Sequence, residues 1–213
     1  MARILITGTN RGIGAALFVA AKAAGHDPIG TTRDGRDGSI ALTLDTPETI
    51  ADQLADLGPV DILINNAGVI TPTRQSPLDM DFAGFAHTLT VNSIAPLAVA
   101  QSVLPQLRTS AAPKIVTISS QMAWMGYRKA DRIAYRASKA AVNKVIQGLA
   151  TALDPEGIPV ALVDPGWVRT DMGGADAEED PTEVAKGILD IALGLQMADT
   201  GKFFRFTGEE RDF

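Results

Sequence analysis

Cysteine is absent from this 213-residue sequence. That one absence excludes disulfides, thiolate metal sites and cysteine nucleophiles together. Histidine is scarce. His26 and His87 stand far apart, neither in a ligand-spaced cluster, so both read as ordinary buried or surface side chains and no metal site is expected. There is no excess of basic charge: the net charge is −6 and the pI about 4.9, so neither nucleic acid nor an anionic membrane is an expected partner. Long apolar runs are missing too. No stretch approaches the roughly 20 apolar residues of a membrane span. The first apolar run, Ile4-Leu5-Ile6, meets a glycine turn before it resembles a signal peptide. A cytoplasmic location is the simplest expectation.

What is present is a folded, globular composition, 46% hydrophobic and 21% charged, long enough for one large domain or two small ones. Short apolar segments alternate with amphipathic ones. Strands are expected over residues 2–7, 28–32, 40–44, 60–64, 114–119, 158–163 and 202–206. Helices are expected over 13–24, 46–57, 79–107, 133–153 and 181–195. Gly25 closes the first helix, Pro47 and Glu48 open the second, and Gly58-Pro59 stops it. Such regular alternation argues for a mostly parallel sheet covered on both faces. No repeat, low-complexity tract or linker divides the chain, so residues 1–213 are read as a single α/β domain.

In a sheet of this kind ligands bind beyond the carboxyl ends of the strands, where strand order reverses. After the first strand comes Thr7-Gly8-Thr9-Asn10-Arg11-Gly12-Ile13-Gly14. Glycines placed between a strand and a helix allow a tight turn and close backbone approach to a pyrophosphate, and the helix N-terminus offers unpaired N–H groups to it. The plain alternative is a turn and nothing more. The second strand ends in Thr31-Thr32-Arg33, and with Arg11 this puts two guanidinium groups where a ribose 2′-phosphate would lie, favouring NADP over NAD. Asp34 follows, able to pair with Arg33 or to reach a ribose itself. After the fourth strand stands Asn65-Asn66-Ala67-Gly68, small and amide residues suited to a turn beside the adenosine half of a cofactor.

Later segments carry groups suited to proton transfer. Tyr135 and Lys139 fall one helical turn apart on the same side, so an ammonium beside a phenol is expected to lower a pKa that starts near about 10. A half-buried tyrosine with a solvated lysine neighbour has the same spacing. Ser119 and Ser120 end the fifth strand; near the phenol, a serine hydroxyl would help hold a substrate carbonyl oxygen. Pro96, four residues after Asn92, removes the N–H that the Asn92 carbonyl would meet in a regular helix, so a bend and a carbonyl free to hold water are expected.

Together, and in this order, these segments resemble the short-chain dehydrogenase/reductase family over essentially the whole chain. Thr7 to Gly14 is similar to the family's Thr-Gly-x-x-x-Gly-x-Gly, Asn65 to Gly68 to its Asn-Asn-Ala-Gly, Tyr135 and Lys139 to its Tyr-x-x-x-Lys, and Pro165-Gly166 to its Pro-Gly turn. The wording around Tyr135 and Pro165 looks closest to C-factor-like and sniffer-like carbonyl reductases. The resemblance implies a Rossmann fold, a doubly wound parallel sheet of about seven strands in the order 3-2-1-4-5-6-7. It implies hydride transfer between NADP(H) and a carbonyl or secondary alcohol, with NAD(H) and an alcohol dehydrogenase, or a cofactor-binding signalling protein with little turnover, as alternatives.

It also implies roles. Tyr135 would be the general acid, Ser120 would position the substrate oxygen, Lys139 would lower the tyrosine pKa and bond the nicotinamide ribose, and Asn92 would hold a relay water. The cofactor would be held by Gly8, Asn10, Arg11, Gly12, Ile13, Gly14, Arg33, Asp45 at the adenine, Asn66, Ala67, Gly68, Pro165, Gly166, Val168 and Thr170. A homodimer or homotetramer is implied as possible, with a monomer as the alternative that the sniffer-like forms suggest. Fifteen positions separate Ser120 from Tyr135, more than the family pattern leads one to expect, so the loop 121–132 is extended. Trp124, Met125 and Tyr127 are expected to line a substrate pocket from it, with Arg128, Lys129 and Arg132 solvated. The segment 171–180 is short and acidic, which predicts a wide, weakly covered cleft.

Overall fold

Ile4, Leu5 and Ile6 have no exposed surface in the computed structural model, which describes residues 1–213. Their strand, β1 (Arg3–Ile6), lies in the middle of the sheet, and an unbroken apolar run suits a strand covered on both faces. The chain continues through α1 (Gly12–Ala23), β2 (Asp27–Thr32), β3 (Ile40–Ala41), α2 (Ile50–Gln53) and β4 (Ile62–Asn65). A small hairpin of β5 (Gln75–Ser76) and β6 (Asp79–Met80) precedes α3 (Phe82–Leu89) and α4 (Ala95–Leu107). Then come β7 (Lys114–Ile118), α5 (Ile133–Leu153), β8 (Val160–Asp164), α6 (Pro181–Gly194), β9 (Phe203–Arg205) and β10 (Glu210–Arg211).

The main sheet runs β3-β2-β1-β4-β7-β8-β9-β10. Its first seven strands follow the expected order and pair in parallel. β10 is an addition. It pairs antiparallel with β9, Arg211 opposite Phe203, and two charged residues gave no apolar pattern by which to read it. Alternate residues of each strand face opposite layers. Leu5, Leu63, Ile115 and Leu162 pack with α2, α4 and α5, whereas Ile4, Ile64, Val116 and Val163 pack with α1 and α6. Strand order reverses between β1 and β4, so the loops after β1, β4, β7 and β8 meet at one edge.

Several boundaries differ from expectation. The third strand keeps only two residues, and the second helix shrinks to a 3₁₀ turn, Pro47–Thr49, followed by the four residues of α2. Residues 79–80 belong to the hairpin, and the long helix starts after Asp81, whose carboxylate accepts from the Gly84 amide at 3.0 Å. A π turn at Thr90–Ile94 interrupts that helix where Pro96 withholds its N–H, so the expected irregularity takes the form of a wider turn. The helical run Phe82–Leu107 has 26 residues and is apolar enough by composition to cross a membrane, correcting the expectation that no segment comes near that length. In the fold it serves as a core helix: Ala95, Val99, Val103 and Leu107 are buried in the layer beneath β4 and β7.

Candidate active site

The first and fourth strand loops are stitched together by Thr7 and Asn66. Thr7 Oγ1 accepts from the amides of Asn66 and Ala67, both at 3.0 Å. Asn66 Nδ2 donates to the carbonyls of Thr7 at 2.9 Å and Gly8 at 3.2 Å. Gly8 and Gly12 take φ of +73° and +56°, conformations that side-chain-bearing residues rarely adopt. A β-carbon on Gly8 would meet Ala67 at 3.0 Å, and one on Gly12 would meet Thr170 at 3.3 Å. α1 begins directly behind this cradle, and its N-cap Arg11 makes no side-chain capping bond. A backbone surface stripped of side chains at a helix N-terminus fits a dinucleotide pyrophosphate.

From the cradle a cavity of about 780 Å³ runs toward Arg33 and Asp45 at one end and Ser120 and Tyr135 at the other. Every residue expected to hold cofactor lines it, as do Ser120, Tyr135 and Lys139; Asn92 lies behind the wall. At the first end, Asp34 does not pair with Arg33. Arg36 Nε lies 2.9 Å from both Asp34 oxygens, and Thr32 Oγ1 donates at 3.1 Å. The Arg36 guanidinium holds the Asp34 carboxyl well below the usual carboxylate range. Arg33 is left without a carboxylate partner, while Arg11 Nη1 bonds Asp171 Oδ2 at 2.9 Å across the mouth. His87, a residue that carried no signal in sequence, also lines this end, its Nδ1 3.4 Å from Asp45.

At the other end, α5 brings Tyr135 and Lys139 to the wall, both buried. Burial pushes the phenol up to about 12, the nearby Ser120 hydroxyl opposes the rise, and the charge of Asp164 adds to it. The expected lowering by Lys139 is therefore corrected. Lys139 Nζ donates to the Ile118 carbonyl at 2.8 Å and stands 5.8 Å from the Tyr135 ring centre, and burial lowers its own pKa to about 8.

Asn92 sits in the π turn behind the cavity wall. Its side chain is spent on bracing: Oδ1 accepts from the Val69 amide at 2.8 Å, while Nδ2 donates to the Val69 carbonyl at 2.8 Å and to Ser138 Oγ at 3.0 Å. Asn65 holds the bent helix from the sheet side, Nδ2 to the Pro96 carbonyl at 3.1 Å.

Two further residues support the tyrosine end from behind. Asp164 Oδ1 accepts from the amides of Gln121 and Gly166, each at 3.0 Å, tying the Ser120 loop to the Pro165-Gly166 turn. Its other oxygen faces Arg211 Nη1 at 3.0 Å. Arg211 reaches Asp164 only because β10 folds back on β9. Thr170 Oγ1 is engaged locally, donating to the Val168 carbonyl at 3.3 Å. In the extended loop Tyr127 lines the cavity, joined by Met122; Trp124 and Met125 do not, and stay exposed. Arg132, expected to be solvated, is exposed but also part of the cavity wall.

Fold and site together define an oxidoreductase built on a single Rossmann-type domain. The chain belongs to the short-chain dehydrogenase family, whose model, described as short chain dehydrogenase, matches residues 40–181. It is 40% identical to the C-signal protein of Myxococcus xanthus over 72% of this chain and 92% of the other. It is 34% identical to L-xylulose reductase of Bos taurus over 90% of this chain and 82% of the other. Among solved structures, the NADPH-bound carbonyl reductase from chicken fatty liver superposes with a TM-score of 0.91 at 25% identity, covering 100% of this chain and 99% of the other.

Proposed function

We propose that this protein is an NADPH-dependent carbonyl reductase that interconverts a carbonyl compound and its secondary alcohol. The observation that carries the proposal is that Ser120 and Tyr135 line one end of a cavity that presents an unpaired Arg33 at the other. When bound, the dihydronicotinamide supplies a hydride to the carbonyl carbon and leaves oxidised. Ser120 Oγ and Tyr135 Oη converge where the substrate oxygen would sit and hold it by hydrogen bonds. As negative charge grows on that oxygen, Tyr135 Oη hands over its proton, because an alkoxide is a stronger base than a phenolate. A phenol held at about 12 keeps that proton throughout the neutral range. Lys139, one helical turn away with its Nζ fixed by the Ile118 carbonyl, would bond the nicotinamide ribose. Asn92 keeps the Val69 segment and Ser138 in place around them.

Preference for NADPH follows from Arg33 together with the engagement of Asp34 by Arg36, which removes the carboxylate that would accept from a ribose hydroxyl. The chicken enzyme's bound NADPH agrees with this. The cytoplasm as its location and homodimers or homotetramers as its assembly belong to the same proposal; sedimentation of the purified protein tests the latter.

The proposal is tested by a panel of aldehydes, ketones and quinones assayed with NADPH and NADH, for the native protein and Tyr135→Phe. Reduction with NADPH should exceed that with NADH, and the variant should lose turnover while its NADPH affinity stays nearly unchanged. The 40% identity to a protein named C-signal favours one other reading, a signalling protein that binds the cofactor with little turnover. It would show no reduction of any panel member, and a cofactor response that survives Tyr135→Phe.

A further inference from the structure

Charge pairing around the cavity is uneven. Asp131 is taken by Arg136 Nη2 at 2.8 Å, Asp171 by Arg11 Nη1 at 2.9 Å, and Asp45 lies against His87. Each of these wall carboxylates has a basic side chain beside it. Three wall cations have no carboxylate: Arg33, Lys139 and Arg132. Arg33 faces the adenosine end, and Lys139 is engaged by the Ile118 carbonyl. Arg132 alone has no stated task.

Its position is specific. Arg132 directly precedes α5, three residues before Tyr135, and its side chain makes no capping bond. Its backbone takes φ +52°, ψ +41°, a left-handed conformation uncommon for a residue with a long side chain, and such outliers concentrate at ligand sites. Its charge reaches the Tyr135 phenol. The surrounding stretch, Tyr127 to Arg136, carries four basic residues and one acidic one in a chain of net charge −6. Of the four, Lys129 and Arg136 lie over the Tyr127 ring at 5.8 and 4.8 Å, and Arg128 is off the cavity wall. Arg132 is the one both on the wall and free.

We propose that Arg132 binds a carboxylate carried by the substrate, so that the class of compound reduced is an oxo acid, yielding a hydroxy acid. A planar guanidinium suits a carboxylate through two parallel hydrogen bonds, and a site facing both Arg132 and the Ser120–Tyr135 pair would hold an acid group and a carbonyl together. This rests on the reductase reading, with the same balance: hydride to the carbonyl carbon, the π pair to oxygen, the Tyr135 proton to that oxygen, and NADPH oxidised to NADP⁺. The carboxylate is untouched.

The test compares 4-carboxybenzaldehyde with its methyl ester, using NADPH and the native protein, Arg132→Asn and Arg132→Lys. Asparagine tolerates the left-handed backbone and removes the charge. The native protein should prefer the acid. The acid-over-ester ratio of kcat/KM should fall about tenfold in Arg132→Asn, mostly through KM, and recover in part in Arg132→Lys. Calorimetric binding of terephthalate to the NADP⁺-loaded protein should weaken in step. No acid preference in the native protein, or a ratio unmoved by Arg132→Asn, overturns the proposal. If neither aldehyde is reduced, the wider panel decides the reductase reading, and terephthalate binding alone decides the role of Arg132: binding that Arg132→Asn abolishes upholds it, and binding that is absent or unchanged overturns it.

Discussion

The side-chain amide of Asn66 stands 2.5 Å from where a β-carbon on Gly14 would be. The same β-carbon would also overlap the Gly8 carbonyl, and both neighbours are held, since Asn66 Nδ2 is bonded to that carbonyl and to Thr7. Gly14→Ala should therefore open the cradle. NADPH affinity measured by fluorescence titration should fall at least about tenfold, with a stability loss of roughly 1–3 kcal/mol in urea unfolding. Asn66→Ala should loosen the same loop by about 1 kcal/mol for each lost bond.

Coenzyme choice should turn on Arg36 as much as on Arg33. Arg33→Ala should raise the KM for NADPH much more than that for NADH. Arg36→Ala releases Asp34 from its two-oxygen contact, and the freed carboxylate should repel a 2′-phosphate while accepting from a ribose hydroxyl. The NADPH-over-NADH ratio of kcat/KM should fall about tenfold or more in each variant. Retention of the native ratio in Arg36→Ala would show that Asp34 has no part in the choice.

Lys139 should make stability depend on pH. Burial holds its pKa at about 8 against an ordinary 10.5, so between those values the unfolded chain carries a proton that the folded one has released. Unfolding free energy then rises with pH across that window, by roughly 3 kcal/mol. Tyr135 acts in the opposite sense, raised to about 12 from 10, so its contribution is lost as pH climbs from 10 through 12. Urea unfolding at several pH values between 8 and 10 should show the rise in the native protein and a shallower one in Lys139→Met, where the burial-lowered Lys114 still contributes.

Arg211 should matter beyond the edge of the sheet. It is the only cation paired with Asp164, whose carboxylate is 1% exposed. Arg211→Met leaves that charge buried, a loss of about 1–3 kcal/mol given that the arginine itself is partly in water. Amide exchange at Gln121 and Gly166 should accelerate in the variant, because both amides depend on Asp164 Oδ1. Asp164→Asn with Arg211→Met should recover part of the stability, since no unpaired charge remains.

Local pattern carried far. The Tyr135–Lys139 spacing, the run Thr7 to Gly14 and the irregularity ahead of Pro96 depend on neighbours within one or two turns, and each stands in the structure where the sequence puts it. What differed from expectation turned on choices among partners, near or distant, that periodicity does not rank. α2 shrank because residues 54–57 turn early into the core, Asp34 found Arg36 and not Arg33, and Trp124 turned back over Gly126 away from the cavity.

The sequence by itself determined the alternation of strands and helices, the glycine cradle, and which residue types stand ready for proton transfer, because those features follow from backbone geometry and periodicity along the chain. Tertiary structure alone decided how the charges are shared: the phenol raised, the lysine lowered, Asp164 claimed by Arg211, and Arg132 left free. Such assignments depend on burial and on separations of a few ångströms between residues remote in the chain, and pattern along a sequence holds no measure of either.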